Sequence, residues 1–354
     1  MASVPADRDA NAALIKIISI VMFIITSMLS FGGVLQGAAP KSLPWLAVYM
    51  LNYLCIVSVN CFIMASAHCL CEETFSLRKV VELIVQTFLY SVLIYFGLSY
   101  AGRSSSGPML ALLSFMPFST GRFWLMSIYI AMYLFSPFLN FAVSKMSQAQ
   151  HRACIAVMLF MFCAVPGVLV YADPYTAAGG RSLLWFAALY MIAAYFRKYA
   201  AGNSSGRGRL FAAYICCAAA TVAARAFLPG LFNSIFGKND YFMSVCGYNS
   251  ILTFLSSFCL YAFLMRMNIG GEDSSVKNIL IRLAAPALGV YLIADCPALR
   301  PILYKEIFTP LSYIGSPAVL LYVIICACLI YIAGAAVDYV RMLLFYPFFG
   351  RRRP

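Results

Sequence analysis

Charge is what this 354-residue sequence has least of: 10% of its residues are Asp, Glu, Lys or Arg, against 63% hydrophobic, and mean hydropathy is +0.87. A soluble domain carries about a quarter charged residues, so an ordinary water-soluble globule is excluded. Intrinsic disorder, which needs low hydrophobicity, is excluded with it. Acids are the scarcer sign, 12 against 25 Lys+Arg, and histidine occurs only twice. There is no Walker A loop, no dinucleotide-binding glycine fingerprint and no Gly-x-Ser-x-Gly elbow, so nothing points to ATP, nicotinamide, haem or a hydrolase elbow. No segment alternates polar and apolar residues between turns, as the strands of a membrane β-barrel do. An internal repeat of the inverted-repeat transporter kind is also missing.

What is there is a series of long apolar runs. A helix needs about 20 such residues to cross the hydrocarbon core. The runs predict ten spans near 14–35, 46–69, 80–99, 123–143, 153–171, 182–196, 209–228, 244–265, 279–295 and 317–337. The fold class is therefore all-α: a polytopic membrane domain over 14–346, with a short tail over 1–13 and a basic tail over 347–354. The first run is too long for a signal-peptide core, and its start, Asp7-Arg8-Asp9, is mixed in charge rather than basic. It reads as a retained helix.

The net charge of +13 would suggest nucleic acid if it formed one patch, but the cations lie in short clusters between spans. With a cytoplasmic N-terminus, 17 of the 25 fall on inner segments, among them Lys16, Arg78, Lys79, Arg197, Lys198, Arg341 and Arg351 to Arg353. The other 8 are Lys41, Arg103, Arg122, Arg181, Arg225, Lys238, Arg300 and Lys305. That is the asymmetry of the positive-inside rule, and it puts both termini in the cytoplasm. The bilayer is the expected partner, and nucleic acid is not. Trp45, Trp124 and Trp185 fall at the outer starts of spans, as an interfacial aromatic belt or as the wall of a cavity that stacks on a flat sugar face. Segment 107–121 is too short to span and too apolar for open water, and 301–315 reads as an amphipathic surface helix. Gly202 to Arg207 reads as a flexible basic linker whose Asn203 sequon is a chance match.

Most of the 13 cysteines lie within apolar runs, where free Cys behaves as a small hydrophobe. Cys69 and Cys71 flank an inner helix end beside His68, with too few ligands for structural zinc; no metal is expected. Cys246 and Cys296 are the one pair that could meet at the outer surface. His151 sits in a polar stretch, Ser147 to Arg152, and reads as a solvated loop residue. His68, closing Ser66-Ala67-His68, lies at a depth like that of Lys16 and reads as a polar end-residue or a donor contact.

Several strings in order resemble the acyltransferase 3 family, integral membrane enzymes that acylate cell-surface glycans. They are Leu14-Ile15-Lys16-Ile17-Ile18-Ser19-Ile20; Val59 to Ala67, beginning Val59-Asn60-Cys61-Phe62; Phe75-Ser76-Leu77-Arg78-Lys79; and Phe88-Leu89-Tyr90-Ser91. The most specific is Phe123-Trp124-Leu125-Met126-Ser127-Ile128-Tyr129, continuing through Tyr133-Leu134-Phe135-Ser136-Pro137 to Asn140. Leu189-Tyr190-Met191-Ile192, Tyr248-Asn249-Ser250 and Gly289-Val290-Tyr291-Leu292-Ile293 follow. The matches cover nearly the whole chain and look like the branch common in bacteria that modify wall or capsule polysaccharides. The resemblance implies a ten-helix core in the bacterial cytoplasmic membrane. It also implies transfer of an acyl group, usually acetyl, from acyl-CoA as co-substrate to a hydroxyl on a surface or lipid-linked glycan, with no bound cofactor.

The family's first span carries an Arg and, eleven residues on, a His. Eleven residues return to about the same helix face, about 16 Å further along, so a cation could meet donor phosphates while an imidazole deprotonates the acceptor. Here those positions hold Lys16 and Ser27, and a second family histidine position is Ala294, followed by Asp295. Lys16 keeps the charge without the bidentate fork, and Ser27 is no base near neutral pH. Lys16 and His68 are thus expected at the donor, Ser27 (an acyl relay) and Asp295 (a base) in the catalytic positions, and Trp124, Tyr129 and Asn140 in the cavity wall. Three outcomes stay open: catalysis with these substitutes, a relative that binds glycan or donor without turnover, or movement of a lipid-linked glycan.

Overall fold

The computed structural model describes residues 6–103, 108–118, 121–168, 175–200, 206–236, 247–269, 275–316 and 318–349, and all regular structure in them is helical. Eight helical stretches are long and apolar enough to cross a membrane: Ala10–Phe31, Leu43–Leu70, Leu77–Tyr100, Trp124–Lys145, Gln148–Gly167, Arg207–Leu228, Ser275–Ala294 and Val319–Pro347. The chain is a multi-pass membrane protein by that composition. The remaining two predicted spans correspond to shorter apolar helices, Leu183–Tyr195 and Ile251–Met265.

The helices used below are α1 (Ala6–Phe31), α2 (Leu43–Cys55), α3 (Ser58–Leu70), α4 (Leu77–Tyr100), α5 (Trp124–Lys145), α6 (Gln148–Leu159), α7 (Leu183–Tyr195), α8 (Arg207–Phe236), α9 (Ile251–Met265), α10 (Ser275–Ala284), α11 (Ala287–Ala294) and α12 (Val319–Phe349). Their ends follow from local chemistry. Ser147 and Gln150 form a reciprocal capping box at the start of α6, which satisfies two otherwise orphaned donors. Ser182 and Ser250 accept from the backbone N–H of Trp185 and Thr253 to cap α7 and α9. Pro286, which has no N–H to give, ends α10 and opens α11, so one hydropathic span becomes two helices. Gly33 turns the chain after α1 at φ +80, a backbone state that costs other residues more.

The capping box also explains a difference from the sequence reading. The fifth span begins at Gln148 rather than in the low 150s, and His151 is not a solvated loop residue. Its ring is fully buried, with Nε2 3.0 Å from the Met191 carbonyl and Tyr195 edge-on at 5.3 Å. The expected surface helix at 301–315 is a π turn, Ile302–Ile307, followed by a 3-10 turn, Pro310–Tyr313. Ile302, Tyr304 and Pro310 are buried and Arg103 pairs with Glu306 at 2.8 Å on the exposed side. Within 107–121, Pro108–Ser114 is a short helix. Residues 202–205 of the expected linker, the tail beyond 349 and Cys246 of the considered disulfide lie outside the described residues.

The chain divides into two compact units, and the division falls inside α1, α2, α5 and α10. The first unit holds residues up to Ser19, Tyr49–Phe75 and Ala131–Ile281. In it α3 packs on α7 and α9, and α8 runs along α9. Its core is built round Asn60, whose Nδ2 donates to the Tyr248 carbonyl at 2.7 Å and to Ser257 at 3.0 Å, while its Oδ1 accepts from Trp185 Nε1 at 3.1 Å. Trp185 is therefore a fully buried core residue of this unit and not part of an interfacial belt. Gly180 sits at φ +86 against Tyr248 and the Asn249 backbone, with no room for a Cβ. Asn249 in turn donates to the Phe162 carbonyl at 2.7 Å.

The second unit holds Ile20–Val48, Ser76–Ile130 and the chain from Arg282. Here α11 packs between α4 and α12. The seam is polar at one point: the fully buried Asp338 of α12 accepts from Tyr90 Oη at 2.7 Å and Gln86 Nε2 at 3.2 Å, both on α4, and from Arg341 Nε at 2.6 Å. Gly289 of α11 lies directly against that carboxylate.

Candidate functional site

Of the residues singled out from sequence, Ser27 and Asp295 fall in the second unit. Helix α11 ends at Asp295, which caps it, and four residues earlier Tyr291 lies on the same helix face. Tyr291 Oη donates to Asp295 Oδ2 at 2.9 Å, and Arg300 Nη1 stands 3.7 Å from Oδ1. The carboxylate is buried, so a phenol and a guanidinium replace the water it lost. The guanidinium lies 4.3 Å over the Phe31 ring, and the Phe23 ring meets Tyr291 edge-on at 5.2 Å. Phe23, Ser27 and Phe31 are one turn apart along α1. Ser27 therefore occupies the α1 face whose neighbours on either side contact Tyr291 and Arg300, and it is buried, facing protein and not lipid.

Two further groups complete this end of the unit. Tyr304 Oη donates to the Ala294 carbonyl at 3.0 Å, tying the π turn to the last turn of α11. Burial pushes the Tyr304 hydroxyl well above its ordinary range, so it stays a donor. Burial also pushes up the Cys296 thiol, which leaves a small apolar filler rather than a nucleophile. The cluster thus offers a compensated carboxylate and a hydroxyl on facing helices, a set able to orient and deprotonate an alcohol. Ser27 and Asp295 were expected from the sequence to be site residues. Tyr291, Arg300 and Tyr304 were not, although Tyr291 and Asp295 at four-residue spacing were a usable signal.

The other residues lie elsewhere. Lys16 belongs to the first unit, where its Nζ donates to Cys69 Sγ at 3.9 Å. His68 is fully buried there, with Nδ1 2.8 Å from Tyr261 Oη. Asn140 clamps two elements of that unit: Nδ2 donates to the Leu70 carbonyl at 3.0 Å, and Oδ1 accepts from Tyr190 Oη at 2.6 Å. Trp124, half-buried, and Tyr129, buried, fall in the second unit. Asn140→Ala is expected to cost about 1–2 kcal/mol, two hydrogen bonds to partly buried groups. Denaturation of the detergent-solubilised chain measures it, and a change within a few tenths would show that the clamp contributes nothing.

No protein-family model, curated protein or solved structure matches this chain.

Proposed function

We propose that this chain is a membrane-bound O-acyltransferase of the acyltransferase 3 type, moving an acetyl group from acyl-CoA to a hydroxyl of a surface or lipid-linked carbohydrate. In this reading ten spans cross a bacterial cytoplasmic membrane with both termini inside. The observation that carries it is the buried Asp295 carboxylate, held by Tyr291 and Arg300 on the side of α11 that meets the Ser27 face of α1. An intramembrane ionisable residue is costly, and is kept where function needs it.

Each group has a role that its geometry suits. Asp295 takes the proton of the acceptor hydroxyl as the oxygen attacks the acyl carbonyl. Tyr291 and Arg300 hold the carboxylate in one orientation, which is what makes a base effective. Arg300, with its side chain 21% exposed, can reach an acceptor hydroxyl directly. Ser27 stands where the family has its imidazole, and its hydroxyl orients the acceptor or carries the acyl group as an ester. Lys16 is assigned to the cytoplasmic donor, whose phosphates its ammonium would meet.

The test is mass spectrometry of surface glycans from cells with and without the protein. Loss of an acetyl-sized mass on deletion is expected. Unchanged acylation would overturn the reading. Unchanged acylation with altered glycan export would favour transport of a lipid-linked glycan, and the replaced histidine positions make a non-catalytic binder the remaining alternative.

A further inference from the structure

Arg300 is held in place while its donors stay unengaged. Its guanidinium lies 4.3 Å over the Phe31 ring and 3.7 Å from Asp295 Oδ1, too far for a hydrogen bond to that carboxylate. Among the described residues none of its side-chain N–H groups has a hydrogen-bond acceptor. An arginine carries five such donors in a rigid fork, and this one is only 21% exposed. A charge withdrawn that far from water ordinarily meets a carboxylate or carbonyls at close range. The chain does this elsewhere. Arg197 grips Glu72 through two contacts at 2.7 Å and donates to the His68 carbonyl, and Arg341 grips Asp338 at 2.6 and 3.1 Å.

A second arginine of the same unit is in the same condition. Arg122, half-buried just before α5, has no side-chain hydrogen bond or ion pair among the described residues. It stands near the end of α11: burial raises the Cys296 thiol, and the Arg122 charge acts against that rise. Cys296 follows Asp295 in the chain, and its carbonyl accepts from the Arg300 backbone N–H at 2.9 Å. Two guanidiniums thus share the surroundings of one carboxylate, and that carboxylate already accepts from Tyr291. A positive charge is left over. Arg103 adds nothing to this excess, because it pairs with Glu306 at 2.8 Å on the exposed side.

We propose that Arg300 and Arg122 bind an anionic group, a carboxylate or a phosphate, on the acceptor glycan, so that the substrate class is an acidic carbohydrate. This rests on the acyltransferase reading and deepens it. An oxyanion matches the guanidinium fork, which gives it two parallel hydrogen bonds. The Phe31 contact holds the Arg300 guanidinium by attraction to the ring and supplies no acceptor oxygen. The anion neutralises the left-over charge and fixes the sugar at one point, which holds a neighbouring hydroxyl at Asp295. A neutral glycan brings no counter-charge to either arginine, so it binds less tightly.

The test places the full-length chain in phosphatidylcholine nanodiscs with isotope-labelled acetyl-CoA. The acceptor is surface glycan extracted from cells lacking the protein, either intact or with its carboxylates and phosphates converted to neutral methyl esters. Transfer to the intact glycan is expected to be at least about tenfold more efficient, the worth of a charge-assisted hydrogen bond. Arg122→Gln is expected to raise the KM for the intact glycan about tenfold and to leave that for the esterified glycan where it was. Arg122→Lys restores part of the loss, the charge without the fork. Arg300→Gln also lowers kcat, because Asp295 loses its neighbour. An arginine with a merely structural role would impair both glycans alike. Equal transfer to the two glycans, or discrimination that survives in the double variant Arg122→Gln, Arg300→Gln, would overturn the proposal and leave the acyltransferase reading intact. Phospholipid headgroups offer the same oxyanion: discrimination is expected to persist in phosphatidylglycerol nanodiscs, and its loss there would assign the arginines to lipid instead. If neither glycan is acetylated, the acyltransferase reading fails and binding decides the anion site. Intact glycan held by the wild-type chain and released by the double variant would keep that site, and equal retention would end it.

Discussion

Asp338→Ala is expected to destabilise the chain by about 3–5 kcal/mol, the cost of removing one partner from a buried ion pair. Three groups lose their acceptor at once: Tyr90, Gln86 and Arg341. In a membrane, individual interhelical hydrogen bonds are worth only about 0.6 kcal/mol on average, so the two α4 contacts alone would not reach that figure. The decisive part is Arg341, 11% exposed, whose charge would be left in a poorly solvated place. Its long stem can carry the guanidinium toward the interface, which sets the lower end of the range. Gly289→Val tests the same seam from the other side, since a Cβ there would overlap the Asp338 carboxylate. Thermal unfolding in detergent measures both. A loss below about 1 kcal/mol for Asp338→Ala, the worth of one ordinary hydrogen bond, would show that the cluster is not what joins α12 to α4.

Asp295→Asn is expected to lower acyl transfer to the glycan by about 100-fold or more, the usual contribution of a positioned general base. The amide keeps one acceptor for Tyr291 Oη, and Arg300 keeps its ring contact with Phe31, so stability should change little. In the proposed mechanism the loss falls on kcat, with the KM for acyl-CoA unaltered, because the carboxylate acts on the acceptor hydroxyl and not on the donor. Retained kcat would remove Asp295 from the chemistry. A loss of kcat matched by an equal loss of melting stability would make it a structural residue instead.

These two aspartates were unequally legible. Asp295 stood beside a recognisable motif at the end of an apolar run. Asp338, with Arg341 three residues on, sat just past the last predicted span and resembled any polar helix end. What distinguishes it is the company it keeps: Tyr90, 248 residues earlier in sequence. The same holds for His151 and Trp185. Each matched an ordinary surface reading, a loop residue and an interfacial aromatic, yet each is buried against a partner supplied by another helix. The Lys16–Cys69 contact was likewise invisible, since nothing in the spacing of α1 tells which helix will cross it.

Hydropathy is a local property, so composition and run length alone determined that this is a multi-pass helical membrane protein and roughly where its helices lie. Capping serines, Pro286 and Gly33 set the ends on the same local grounds. Which polar groups meet was decided only by tertiary structure. A polar atom withdrawn from water and from lipid must find its partner wherever the packed helices bring one. For Asn60 and Asp338 that partner was chosen by helix packing, a constraint that sequence spacing carries only when both groups share a helix, as Tyr291 and Asp295 do.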